Sequence, residues 1–168
     1  VDDYHGAYTA VEYLIKTGCR HIYFYSADPH LEISKNRRNG YIDAMKRYNV
    51  PVTPEMIVWC DTREKAMQIT PSLLQSDTPP DGFFAINNDT AAGILNACKA
   101  VGKQVPDEVA ICGFSDDDIA RSTDPKLTTV EQRGEEVGKS AFDILHEKIE
   151  GKTDGKNRIV KTNLVVRG

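Results

Sequence analysis

Short apolar runs rich in β-branched and aromatic residues alternate along this chain with segments whose apolar residues recur at helical spacing. His21–Ser26, Met56–Cys60, 83–86, Val109–Phe114, Leu127–Val130 and Ile159–Val166 read as strands. A helix is expected from about Gly6 to Lys16, with Val11, Leu14 and Ile15 on one face and Gly18 as its stop. Others are expected from about Ser34 to Tyr48, with Tyr41, Ala44, Met45 and Tyr48 inward, over Glu64–Leu74, after Asp89, and over Glu135–Ile149. The last carries Val137, Ala141, Ile144, Leu145 and Lys148 along one side. The alternation has the spacing of βαβ units, so the expected fold is α/β, a mostly parallel sheet with helices on both faces.

The chain has 168 residues, 40% of them apolar, enough for a full core in one domain of ordinary size. Its net charge of −4 argues against a grip on nucleic acid by this segment alone, because phosphate contacts need a basic face. No apolar run approaches the roughly 18 residues of a membrane span. The opening Val1-Asp2-Asp3-Tyr4-His5 is neither a signal peptide nor a natural start, which points to a piece of a longer protein. Cys19, Cys60, Cys98 and Cys112 are scattered without CxxC spacing or a nearby His, and read as buried reduced thiols of a cytoplasmic protein. The dinucleotide and P-loop signatures are absent, Ser115 has no nucleophile elbow, and Asp116–Asp118 match no calcium loop. An enzyme, a metal site and a cofactor are therefore not expected.

Polar residues gather just after the expected strands. Asp28, His30 and then Arg37 follow the first, Asp61 and Thr62 the second, Asn87 and Asn88 the third, and Ser115 with Asp116–Asp118 the fourth. Parallel strands place these ends on one rim, the edge where ligands bind in such sheets. Asn offers a donor and an acceptor, which suits a sugar hydroxyl or the edge of a base. Asn and Asp are also the preferred helix caps, so Asp89 is expected to cap the following helix and Asn88 to face a ligand. Arg37 sits near a helix start, where the dipole disfavours a cation, and a guanidinium there can fork onto hydroxyls or carboxylates. Each cluster taken alone also fits a solvated loop or a cap.

An ordered set of motifs spans the chain. They include Asp2-Asp3-Tyr4-His5-Gly6-Ala7, Arg37-Arg38-Asn39-Gly40-Tyr41, Asn88-Asp89-Thr90-Ala91-Ala92-Gly93, Val105-Pro106-Asp107-Glu108-Val109-Ala110-Ile111-Cys112-Gly113-Phe114 and Leu127-Thr128-Thr129-Val130-Glu131-Gln132. Together they resemble the effector-binding core of the LacI/GalR family of bacterial transcription regulators. The resemblance implies a periplasmic-binding-protein-like core of two α/β subdomains around an effector cleft, with a helix-turn-helix elsewhere in the protein that reads operator DNA as a dimer. It implies that about 18–126 forms the second subdomain, about 127–158 a crossover and a helix toward the first, and about 159–168 a returning strand. The runner-up is the solute-binding protein of a sugar transporter, which shares the fold.

By the same resemblance, Arg37 and Asn88 occupy effector-touching positions. Ser115 stands where the family very often has an Asp, with Asp116 displaced by one residue, and Gln132 matches a crossover position near the cleft. Thr62 completes the expected site. The effector is expected to be a sugar or related metabolite. The helix after Asn88 carries Ala91, Ala92, Ile94, Leu95, Ala97, Cys98 and Val101, more apolar circumference than one core stripe needs. A homodimer contact at Ala91, Ala92, Leu95 and Asn96 is expected to cover the excess.

Overall fold

The computed structural model of the protein describes residues 1–115, 117–152 and 157–167. The elements are α1 (Asp3–Lys16), β1 (Ile22–Ser26), α2 (Glu32–Arg47), β2 (Ile57–Trp59), α3 (Arg63–Leu74) and β3 (Gly82–Ala85), followed by α4 (Asn88–Ala100), β4 (Ala110–Phe114), α5 (Asp118–Ser122), β5 (Thr128–Glu131), α6 (Gly134–Ile149) and β6 (Asn163–Val165). One sheet holds all six strands in the order β2-β1-β3-β4-β5-β6. Every pair is parallel except β5 with β6.

Successive side chains of a strand point to opposite faces, and here both faces are apolar. Ile22 and Phe24 of β1, Phe84 of β3 and Cys112 of β4 face a core with Ala7, Ala10, Val11 and Leu14 of α1 and Tyr41, Ala44 and Met45 of α2. Tyr23, Tyr25, Phe83, Ala85 and Ile111 face the other core, with Ala66 and Leu74 of α3 and Ala91, Ile94, Leu95 and Cys98 of α4. Phe24 and Phe84 stack across β1 and β3 with ring centroids 5.0 Å apart. The α/β expectation holds, and α1 joins the same core as the elements after residue 18.

Local details differ from the sequence reading where a polar or capping group intervenes. The run from Met56 begins with a 3-10 turn, Pro54–Met56, because Pro54 fixes a turn conformation before the strand. Tyr48 is not inward: α2 ends at Arg47, and the Tyr48 hydroxyl lies 2.5 Å from Glu12 Oε1 at the surface. The final strand is confined to Asn163–Val165, the part that pairs with β5. The short α5 was not anticipated. It is started by Asp117, whose carboxylate accepts from the Ala120 amide.

α1 and α2 pack closely enough that Gly40 has no room for a side chain. An added Cβ would lie 2.3 Å from Tyr4 O and 2.9 Å from Tyr8 N, both backbone atoms that cannot rotate away. Gly40→Ala is therefore expected to destabilise the protein by about 1–3 kcal/mol through overpacking, measured by chemical denaturation.

All four thiols are buried and unpaired. Burial pushes Cys19, Cys60 and Cys98 up to about 11, and raises Cys112 further still. Thiolate is the reactive form, so at pH 8 the folded protein should react slowly with a chromogenic disulfide reagent, and all four should react at once in denaturant.

Candidate functional site at the strand-end rim

The parallel register carries the C-terminal ends of β1, β2, β3 and β4 to one rim, and the loops that follow bring the expected residues there. Arg37 reaches it from α2. Its side chain is 2% exposed. Nε and Nη2 donate to Asp3 Oδ1 at 2.9 and 2.6 Å, and Nη1 donates to the Ile86 carbonyl at the end of β3. The guanidinium carbon lies 3.4 Å from the centroid of the Phe114 ring, a stacked cation–π contact. Burial pulls the Arg37 pKa down and Asp3 pulls it back up. The cation thus fastens α1, β3 and β4 together just beneath the rim.

Asn88, fully buried, is the second anchor. Its Nδ2 donates to the Ser115 carbonyl and to Asp117 Oδ1, and its Oδ1 accepts from Thr129 Oγ1 at 2.8 Å. Thr129 Oγ1 also lies 2.8 Å from the Ser115 carbonyl. Gly113 makes this approach feasible, since a Cβ there would come within 2.2 Å of Asn88 Oδ1. Ser115 has φ +95, a region that side-chain-bearing residues rarely adopt, and its amide donates to Val130 O at 2.8 Å. The loop after β4 is thereby held at a strained residue, a feature that recurs at functional sites.

The remaining expected residues are more peripheral. Thr62 caps α3, its Oγ1 accepting from the Lys65 amide at 3.3 Å. Gln132 is half-buried at the end of β5, before Arg133 in the left-handed region. Asp116 lies outside the described residues. The cap of α4 is Asn87, not Asp89: Asn87 Oδ1 accepts from the Thr90 amide and its Nδ2 donates to Asp61 O. Asp89 instead pairs with Arg63, 3.0 Å away, because as the second residue of the helix it points toward α3. Asn88 and Ser115 therefore share one hydrogen-bonded network, Arg37 forms a second one with Asp3 and the Ile86 carbonyl, and Thr62 and Gln132 belong to neither. Sequence reasoning missed Asp3 and Thr129, and placed Asp117 in the cluster after the fourth strand without giving it a role. Asp3 had a signal, an acid paired with Asp2 before a helix, but that pattern reads first as a cap, and Asp2 does cap α1.

The apolar excess of α4 is covered within the chain. Ala91, Ala92 and Leu95 are 0, 3 and 1% exposed, while Asn96 is exposed. α3 lies so close that a Cβ on Gly93 would sit 2.5 Å from Arg63 O. The burial argument for a second copy on this helix accordingly loses its force. No group of His, Cys, Asp and Glu among the described residues is arranged to hold a metal ion.

Removing the carboxylate of Asp3 would leave a buried guanidinium without its charge partner. Asp3→Asn is expected to cost about 3–5 kcal/mol, the usual penalty for breaking a buried ion pair from one side. Thermal denaturation checks this, and a loss below about 1 kcal/mol, the value of a surface pair, would show that solvent reaches Arg37.

Residues 11–168 match the family model described as periplasmic binding protein-like domain. The chain is 30% identical over 170 residues to the HTH-type transcriptional repressor CytR of Escherichia coli (strain K12), covering all of this chain and 50% of that protein. A regulatory protein of the LacI family from Chloroflexus aggregans superposes with a TM-score of 0.93 at 27% identity, over 99% of this chain and 60% of that one. A LacI-family transcriptional regulator from Enterococcus faecium with bound ribose gives 0.88 at 25% identity, over 99% and 62%. The chain spans about half the length of the curated relatives it matches. With this fold, this rim and a family match over nearly its whole length, the chain belongs to the periplasmic-binding-protein-like domain family, in the form found in LacI-family transcription regulators.

Proposed function

We propose that this chain is the effector-binding part of a LacI-type transcription regulator. A small molecule binds on the strand-end rim, closed over by a first α/β subdomain, and alters operator binding by a helix-turn-helix carried elsewhere in the protein. The observation that carries the site is the Arg37–Asp3 pair. Both guanidinium bonds go to Oδ1, and Asp3 is 17% exposed, so Oδ2 remains at the rim to accept from a ligand hydroxyl. Asn88, Ser115, Gln132 and Thr62, which follow neighbouring strands, complete the proposed site together with Asp116, which the sequence puts next to Ser115. A sugar or related metabolite suits these acceptors and donors, and the Enterococcus faecium neighbour holds ribose.

The crossover supports the two-subdomain arrangement. α6 has no buried residue, and Phe142, Leu145 and Ile149 are 67, 57 and 76% exposed. These residues form an apolar face that the first subdomain would cover. Residues of about 18–126, together with α1 in the same core, act as the second subdomain, about 127–158 as crossover, and about 159–168 as the return. The parent is a cytoplasmic homodimer. Asn96, with the neighbouring exposed ends of α3 and α4, offers the contact, and Ala91, Ala92 and Leu95 back it from beneath. The relatives are transcriptional repressors, which favours regulation over both solute transport and catalysis.

The test is a thermal-shift screen of the full-length protein against sugars and nucleosides. A true effector at 100 times its Kd adds about 2.7 kcal/mol of stability. Arg37→Ala and Asn88→Ala should then each weaken binding by about 1.5–3 kcal/mol in calorimetry, as for hydrogen bonds to charged or buried groups. Unchanged affinity in both variants would remove the rim from consideration.

A further inference from the structure

A second cavity, of about 570 Å³, opens beside the edge strand β2. None of Arg37, Thr62, Asn88, Ser115 and Gln132 lines it. At 100° per residue, Lys35, Arg38 and Asn39 lie on the flank of α2 opposite Gly40, the residue that meets α1. The cavity therefore adjoins the β1–β2 end of the rim but lies on the outer flank of α2, away from Arg37 and Asn88, and its size is that of a small-molecule site.

Its lining is organised for an anion with a flat face. Arg38 has no ion pair or hydrogen bond among the described residues. Lys35 has only an exposed contact to Glu32 at 3.9 Å. Lys35 stands in the first turn of α2, where the helix dipole disfavours a cation, so helix stability does not explain it. No side chain caps that helix, since Leu31 occupies the cap position, and its first amides are open to an anion. Ser34 lines the same cavity, is 2% exposed, and its Oγ has no hydrogen-bond partner. A buried hydroxyl without a partner is costly, and a bound acceptor would remove the cost. Across from these groups stands Trp59, 59% exposed on the edge strand, with Ile57 beside it.

We propose that this cavity is an accessory site for a mononucleotide. The phosphate is held by Arg38 and Lys35 through charge-assisted hydrogen bonds and accepts from Ser34 Oγ. The base stacks on the Trp59 face, as bases do on exposed aromatic platforms. The Asn39 carboxamide, which lines the cavity, reads the base edge with its donor and acceptor.

Trp59 is the single tryptophan of the 168-residue sequence, so its emission reports on this cavity directly. AMP, adenosine and inorganic phosphate are titrated separately into the chain, and calorimetry is run in parallel on the full-length protein. AMP is expected to quench Trp59 with saturation below about 1 mM, the weak end of specific binding. Adenosine and phosphate should each bind at least tenfold more weakly. The double variant Lys35→Ala/Arg38→Ala should lose tenfold or more for AMP, and Trp59→Leu should lose a similar factor by calorimetry. All three positions are exposed, so the variants keep the fold, which the melting temperature verifies. Binding of adenosine as tight as AMP would overturn the role of the cations. Binding of phosphate as tight as AMP would overturn the role of Trp59. No response to AMP at several millimolar would overturn the site.

Discussion

Burial of both faces of one parallel sheet is the constraint on which the rest of this structure depends. β1 sends Ile22 and Phe24 to one side and Tyr23 and Tyr25 to the other, and β3 does the same with Phe84 and Phe83. Neither face can remain in water, so helices must cover both. Parallel pairing then forces each chain reversal through a helix and delivers all four central strand ends to the same edge. The polar rim follows from the apolar sheet.

That logic made the architecture legible from sequence. The aromatic and β-branched runs located the strands, and the spacing of Val11, Leu14 and Ile15 or of Tyr41, Ala44 and Met45 located the helices. The candidate site was legible only in part. Local pattern can show that Asn87, Asn88 and Asp89 lie at a strand-to-helix junction, but the division of labour among them is tertiary. Asn87 caps because its backbone is extended; Asn88 turns inward because Gly113 makes room; Asp89 turns outward because Arg63 is there. Asp3 was hidden for the same reason, being 34 residues from the arginine it neutralises. The apolar circumference of α4 misled in the opposite direction, since the second covering layer was α3 from this chain.

The groups at the rim are also structural fasteners. Arg37 binds α1 and the end of β3 while lying on Phe114 of β4, and Asn88 joins α4 to the loop after β4 and to β5. Groups so placed cannot engage a ligand without redistributing bonds that hold secondary elements together. If the proposed effector engaged these groups, that dual commitment would supply a physical route from a bound molecule to a change in shape, because differential contacts in two arrangements are what bias an equilibrium.

One tie described above shows where such a change would travel. Arg37 grips Asp3, and the preceding residue, Asp2, donates its amide to Val160 O at 2.9 Å. Three residues further along α1, Gly6 lies against both Phe114 and Thr162, each about 3 Å from where its Cβ would be. The first turn of α1 is thus a pivot pin between the guanidinium and the returning segment that runs into β6. A pull on the arginine would meet these close contacts at once and would reach the crossover as leverage.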